Sequence, residues 1–122
     1  SVALVGAGNL GHAICNYNTY LKDNMKIVAI FDNVPTKIGL AINHLKVQPM
    51  HELQETVKQL GIRVGIITVP AAEAQVVADE FVHSGVEAIL NFAPIHLKVP
   101  EEVRVHYADF TAQLHSLAYY LD

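Results

Sequence analysis

Apolar residues in this chain come in short blocks separated by polar and glycine-rich breaks, and the blocks alternate between two periods. Val2-Ala3-Leu4-Val5 is wholly apolar, the pattern of a parallel strand buried on both faces. His12 to Leu21 can follow it as a helix, and Met25 to Phe31 reads as a second buried strand ending at Asp32. Leu40 to Val47, with Asn43-His44 in the middle, suggests a short hairpin that Gln48-Pro49 breaks. Met50, Leu53, Val57 and Leu60 fall on one stripe of an amphipathic helix stopped by Gly61. Val64 to Val69 is the next strand, and Pro70 suits the first turn of a helix over Ala71 to His83. That helix is expected to face Val76, Val77, Ala78 and Phe81 inward and to close at Ser84-Gly85. Val86 to Phe92 and Val103 to Tyr107 are further strands, joined by a loop holding Pro94 and Pro100. A last helix is expected over Phe110 to Leu121. Alternation of strand and helix through short links predicts an α/β fold, a Rossmann-like parallel sheet flanked by helices with right-handed crossovers.

The first strand is followed by Gly6, Gly8 and Gly11 in the spacing G-x-G-x-x-G. Between a strand and a helix, each glycine has its own task. Gly6 makes the tight turn, Gly8 lets a pyrophosphate reach the backbone, and Gly11 allows the helix to pack on the sheet. The phosphates would sit on the N–H groups at the helix start, at the positive end of its dipole. Asp32 closes the second strand near the distance of a ribose-binding carboxylate, although Asp-Asn before Pro35 also suits a plain turn. An acid there repels a 2′-phosphate, so the expected cofactor is NAD(H), not NADP(H).

In such a sheet the ligand lies beyond the carboxyl ends of the strands. Gly6, Ala7, Gly8, Asn9, Leu10 and Gly11 would therefore share a crevice with Asp32 to Lys37. Thr68, Val69 and Pro70 are expected to wall the adenosine side or the middle of the dinucleotide. Asn91, Phe92, Ala93 and Pro94 are expected to approach the nicotinamide. Thr68 and Asn91 could equally cap the backbone that follows them.

The chain has 122 residues, 52% of them hydrophobic and 16% charged, which fits one globular domain. A net charge of −4 with thinly spread Lys and Arg gives no basic patch for nucleic acid. No apolar run reaches membrane-spanning length, and the single Cys15 fits a reducing cytoplasm. The seven histidines show no metal-ligand spacing, so no metal is expected. Cys15 reads as a packed helix residue, and neither His44 nor His96 has a nameable partner for a catalytic base. Because the chain begins within a residue of its first strand, it looks like a domain cut from something longer.

The last helix carries Phe110, Leu114, Leu117, Ala118 and Leu121 at helical spacing behind Asp109, a residue suited to its N-cap. From pattern alone it either covers its own sheet or docks on a second copy.

Four stretches together resemble the Rex family of redox-sensing transcriptional repressors, in its C-terminal nucleotide-binding domain. They are Val-Gly-Ala-Gly-Asn-Leu-Gly-His-Ala (5–13), Phe-Asp-Asn-Val-Pro-Thr-Lys-Ile-Gly (31–39), Ile-Leu-Asn-Phe-Ala-Pro (89–94) and the ending 109–121. The resemblance implies a sensor of the NADH/NAD⁺ ratio, not an enzyme: a homodimer preferring NADH that releases operator DNA when NADH binds. It divides the chain into a nucleotide domain over 1–108 and a terminal helix over 109–122 that is exchanged between subunits. It puts Phe92 near the nicotinamide and makes Tyr17 and Asp109 the redox switch pair. From the residues alone, these two read as a packed tyrosine and an N-cap. The family's winged-helix DNA-binding domain is absent from this sequence, so NAD(H) binding without operator binding is expected. A fragment of an NAD-dependent dehydrogenase and a CoA-binding domain of the acyl-CoA ligase type are the alternative readings.

Overall fold

Strand β1 (Val2–Val5) is the centre of a seven-stranded sheet in the order β3-β4-β2-β1-β5-β6-β7. The computed structural model describes residues 1–17 and 25–108. The other strands are β2 (Ile27–Asp32), β3 (Ala41–Ile42), β4 (Leu45–Pro49), β5 (Val64–Ile67), β6 (Ala88–Asn91) and β7 (Arg104–Tyr107). All pairings are parallel except that of β3 with β4. The order reverses between β1 and β5, where the chain leaves one half of the sheet for the other, and such a switch point opens a crevice at the strand ends.

Alternation along β1 divides the core. Ala3 and Val5 point to the face covered by α2 (Leu53–Leu60) and α3 (Ala71–His83), against Leu53, Val57, Val77 and Phe81. Val2 and Leu4 point to the opposite face, where α1 (Asn9–Asn16) brings Cys15 against Ile27 and Ile30. Burial of both faces is why the strands are continuously apolar and not alternating. Gly65, on β5, lies under the ring of Phe81, and any Cβ there would meet that ring at 2.6 Å.

Several expectations need correction. Helix α1 starts at Asn9, three positions before His12, because Gly8 in extended conformation already serves as its N-cap. Asn43-His44 does turn the hairpin, Asn43 at φ 57°, but Gln48-Pro49 does not break it. Phe31 pairs with Gln48 and Asp32 with Pro49, so β4 joins the parallel sheet; β3 pairs only with Leu45 and Lys46, so Pro49 lies on an open edge, where a missing N–H is tolerated. The helix predicted from Met50 opens as a 3₁₀ turn (Met50–Glu52) before α2, and Leu60 is half-exposed at its end. Gly61 stops α2 in the left-handed conformation, as predicted (φ 62°). Strand β5 ends at Ile67, leaving Thr68 and Val69 beyond it, and Pro70 is the N-cap of α3 and not a residue of its first turn. Val76 is exposed, since the apolar face of α3 follows Ala74, Val77, Ala78 and Phe81 and residue 76 lies off that stripe. Strand β6 is shorter at both ends than Val86 to Phe92. The far end of the first predicted helix, and the terminal helix with Asp109, Phe110, Leu114, Leu117 and Leu121, lie outside the described residues, as does the proposed boundary at 108/109.

Candidate functional site

The glycine loop links β1 to α1 at the switch point. Gly6 has φ +118°, a conformation that side chains rarely adopt, and a Cβ on it would overlap the Thr68 side chain and backbone. Thr68 Oγ1 lies 2.8 Å from the Gly6 carbonyl and 3.0 Å from that of Val5, clasping the loop to the end of β5. Gly11 is buried against the Gly6 carbonyl, and its Cβ would collide with that oxygen. Packing inside the protein therefore explains two of the three glycines.

It does not explain Gly8. Its backbone is in the ordinary extended region (φ −84°, ψ −164°), and the nearest atom to a Cβ there would be Lys37 Nζ at 3.9 Å. The space above Gly8 is open and faces an ammonium. The first intrahelical bond of α1 runs from His12 N–H to the Gly8 carbonyl, so the N–H groups of Asn9 to Gly11 head the helix. A concave space at a helix N-terminus, with the Lys37 ammonium beside it, accepts an anion by geometry and by dipole.

Asp32 sits at the carboxyl end of β2, buried to 8% exposure. Its Oδ2 accepts the Ala7 N–H at 2.7 Å and its Oδ1 accepts the Val34 N–H at 2.9 Å. The carboxylate thus fixes both the glycine loop and the turn carrying Lys37. Two oxygens offer about four lone-pair sites, so both can still accept from a ligand hydroxyl. The plain turn role and the ligand role foreseen for Asp32 are compatible.

These groups line one cavity of about 450 Å³ with Gly6, Gly8, Asp32, Lys37, Thr68, Val69 and Pro70 in its wall. Sequence reasoning missed Met50, Glu73 and Val77, which also line it. The signal was present: positions 73 and 77 are one turn apart at the start of a helix leaving a strand's carboxyl end. Among the described residues no histidine lines the cavity; His44 is exposed in the hairpin turn, and His96 stacks on Tyr107.

Ala7, Asn9, Leu10 and Gly11 frame the loop without lining this cavity, and Asn91, Phe92, Ala93 and Pro94 do not line it either: Asn91 pairs with Ile67 at the end of β6, and the other three follow it. Asn91 is buried, and its side chain caps its own loop: Oδ1 accepts the Ala93 N–H, and Nδ2 donates to the Ala93 and Ile95 carbonyls. Phe92 packs partly against the α1-side core, and its N–H donates to the Ile67 carbonyl.

A larger cavity of about 570 Å³ opens on the other face of the sheet, lined by Val2, Ala13, Ile14, Tyr17, Ile66 and Leu90 among others. Its surface is almost wholly apolar, with Tyr17 and His106 its polar side chains and no helix N-terminus or glycine loop opening into it. Tyr17 is 60% exposed at its rim. Cys15 is buried beneath α1, and burial pushes its thiol up to about 11, which keeps it protonated and unreactive at neutral pH. Among the described residues there is no cluster of three potential metal ligands and no helix long and apolar enough to cross a membrane.

The model of the CoA binding domain family matches residues 1–95. Redox-sensing transcriptional repressor Rex of Brevibacillus brevis is 57% identical over 120 residues, covering 98% of this chain and 58% of that protein. Its counterpart in Roseiflexus sp. is 46% identical over 98% of this chain and 54% of its own length. The chain thus spans just over half of the curated relatives it matches. A crystal structure of RSP, a Rex-family repressor, in complex with β-NADH superposes with a TM-score of 0.92 at 36% identity, covering 98% of this chain and 58% of that one. RSP in complex with β-NAD⁺ and operator DNA superposes at 0.90 and 36%, over 98% and 55% of the two chains. The fold is therefore shared with proteins of this kind, and the chain belongs to the CoA binding domain family and is homologous to the redox-sensing transcriptional repressors Rex.

Proposed function

We propose that this chain is the NADH/NAD⁺-sensing regulatory domain of a bacterial transcriptional repressor. The observation that carries the reading is the open space above Gly8, bounded by the start of α1 and Lys37 Nζ, with the Asp32 carboxylate at the end of the neighbouring strand. NAD(H) fits that arrangement. Its pyrophosphate would lie over Gly8 toward the N–H groups of α1 and Lys37, and the adenosine ribose would hydrogen-bond to Asp32. Thr68, Val69 and Pro70 would wall its middle, and Asn91 to Pro94 would border the nicotinamide beyond β6. The bound dinucleotide supplies a charge difference at the nicotinamide ring; the protein's own residues supply recognition and no acid–base chemistry. Homology to repressors supports the regulatory reading over an enzymatic one.

In this proposal the full-length protein is a cytoplasmic homodimer that binds operator DNA through a separate winged-helix domain. Binding of NADH, preferred over NAD⁺, rearranges the dimer so that DNA is released. The apolar cavity beside Tyr17 supports a dimer in which the stripe Phe110, Leu114, Leu117 and Leu121 of a partner docks on this face. Tyr17, at that rim, would then meet Asp109 as the switch pair.

The family's description favours CoA as the second reading. CoA carries a 3′-phosphate on the ribose that Asp32 would face, and a carboxylate repels it. Calorimetric titration with NADH, alone and in the presence of NAD⁺, CoA or NADPH, separates the two. We expect NADH to bind, NAD⁺ to bind more weakly, and CoA and NADPH to displace it poorly. Displacement by CoA at lower concentrations than NAD⁺ would reverse the assignment.

A further inference from the structure

The segment between β6 and β7 has no strand or helix of its own, yet its middle is held at successive backbone groups by side chains from two distant elements. The Leu97 N–H donates to Tyr107 Oη at 3.0 Å. The Lys98 N–H donates to Gln75 Oε1 at 2.9 Å, and Gln75 Nε2 donates to the Lys98 carbonyl at 2.8 Å. The Gln75 amide thereby treats Lys98 as a neighbouring strand would, using one donor and one acceptor. A further bond from Gln75 Nε2 to Asp79 Oδ1, one turn along α3, orients that amide. The Tyr107 ring lies nearly parallel to that of His96, with centroids 5.7 Å apart, and Leu97 is buried under the α3 side of the core.

The same segment begins at the carboxyl end of β6, next to β5, in the half of the sheet beyond the switch point. In a sheet of this order that half receives the second nucleotide of a dinucleotide. The clasp is therefore on the loop that borders the nicotinamide, while the adenosine half is served by Asp32 and Lys37 on the other side. Neither Gln75 nor Tyr107 lines the crevice.

We propose that Gln75 and Tyr107 are positioning residues for nicotinamide recognition. They hold 95–98 against α3 and β7 so that Asn91 and Phe92 keep their place at the edge of the crevice. This rests on the dinucleotide reading above. An ordered loop lowers the entropy that ligand binding must remove, so loosening it weakens the contacts it makes and no others. ADP-ribose, which has the adenosine and both phosphates of NADH but no nicotinamide, is the control ligand.

The test is calorimetric titration of the chain and of its Gln75→Ala and Tyr107→Phe variants with NADH and with ADP-ribose. Both side chains are at the surface, so the variants keep the fold, which thermal melting verifies. We expect NADH affinity to fall about 3- to 10-fold in each variant and ADP-ribose affinity to stay within about twofold. Equal loss for both ligands, or no loss for NADH, overturns the positioning role while leaving the site intact. Failure of the unsubstituted chain to bind either ligand overturns the dinucleotide reading itself. Amide hydrogen exchange gives a ligand-free check. Exchange at Leu97 should quicken in Tyr107→Phe and at Lys98 in Gln75→Ala, and unchanged rates would refute the clasp.

Discussion

Gly8→Ala separates what the glycine loop does for the protein from what it does for a ligand. The added methyl would enter open space, with Lys37 Nζ 3.9 Å away and able to move. The backbone at residue 8 is in a region that alanine adopts readily. Replacing glycine by alanine at such a site restricts the unfolded chain and gains about 0.4–1 kcal/mol. Residue 8 is also the N-cap of α1, where alanine is worse than glycine by roughly 0.5–1 kcal/mol. The two effects offset, so stability should change by no more than about 0.5 kcal/mol, a melting shift of about 3 °C or less in either direction. The same methyl fills the place assigned to the pyrophosphate, so NADH affinity should fall at least about tenfold, on the order of 1.4 kcal/mol or more. Chemical denaturation and calorimetric titration of the same preparation measure both quantities. A large loss of stability would mean that Gly8 is required by packing after all. Unchanged NADH affinity at unchanged stability would refute the phosphate cradle.

Gly6→Ala should behave in the opposite way. A non-glycine residue at a φ of +118° costs about 1–3 kcal/mol, and overlap with Thr68 adds to it, so a urea midpoint nearly unchanged from the parent would contradict the geometry. Asp32→Asn places an amide donor against either the Ala7 or the Val34 N–H, with an expected loss of about 1–3 kcal/mol and a narrower preference for NADH over NADPH. An unaltered preference in competition titrations would remove Asp32 from the ribose. For Cys15 the folded protein holds the thiol proton more tightly than the unfolded chain, whose thiol ionises near its ordinary value of 9.0. Stability is therefore fully retained below pH 9 and should decline between pH 9 and about 11, by at most about 1.4 kcal/mol per pH unit. Cys15→Ser should flatten that slope in urea denaturation, and an identical slope in both proteins would assign it to other groups.

The alternation of apolar blocks located every strand and helix among the described residues, because burial on both faces of a parallel sheet leaves a continuous apolar run that short breaks make easy to count. Misplacements fell where local chemistry and tertiary pairing disagree. Gln48-Pro49 looks like a break, but the partner strand β2 accepts it, and no local rule reveals that β2 is there. Val76 is apolar, yet α3 presents a neighbouring stripe to the sheet. In the site, Gly6 and Gly11 were legible as turn and packing residues, since one motif encodes both. The contact that makes Gly8 distinctive, Lys37 reaching across from residue 37, depends on the fold of the turn after Asp32; the strand-end rule put residue 37 at the crevice but not against Gly8. Asn91 was legible as a cap for the backbone that follows it, whereas the end of its strand at residue 91, one before Phe92, was not.

The most direct test of the central claim is a two-dimensional ¹⁵N–¹H spectrum of the chain recorded during addition of NADH. The account predicts saturable shifts at the amides of Gly6, Gly8, Asn9, Leu10, Asp32 and Val34, with a second group at Asn91 to Ala93. Shifts confined to the apolar face around Ile14, Ile66 and Leu90, or no shifts at all, would contradict it.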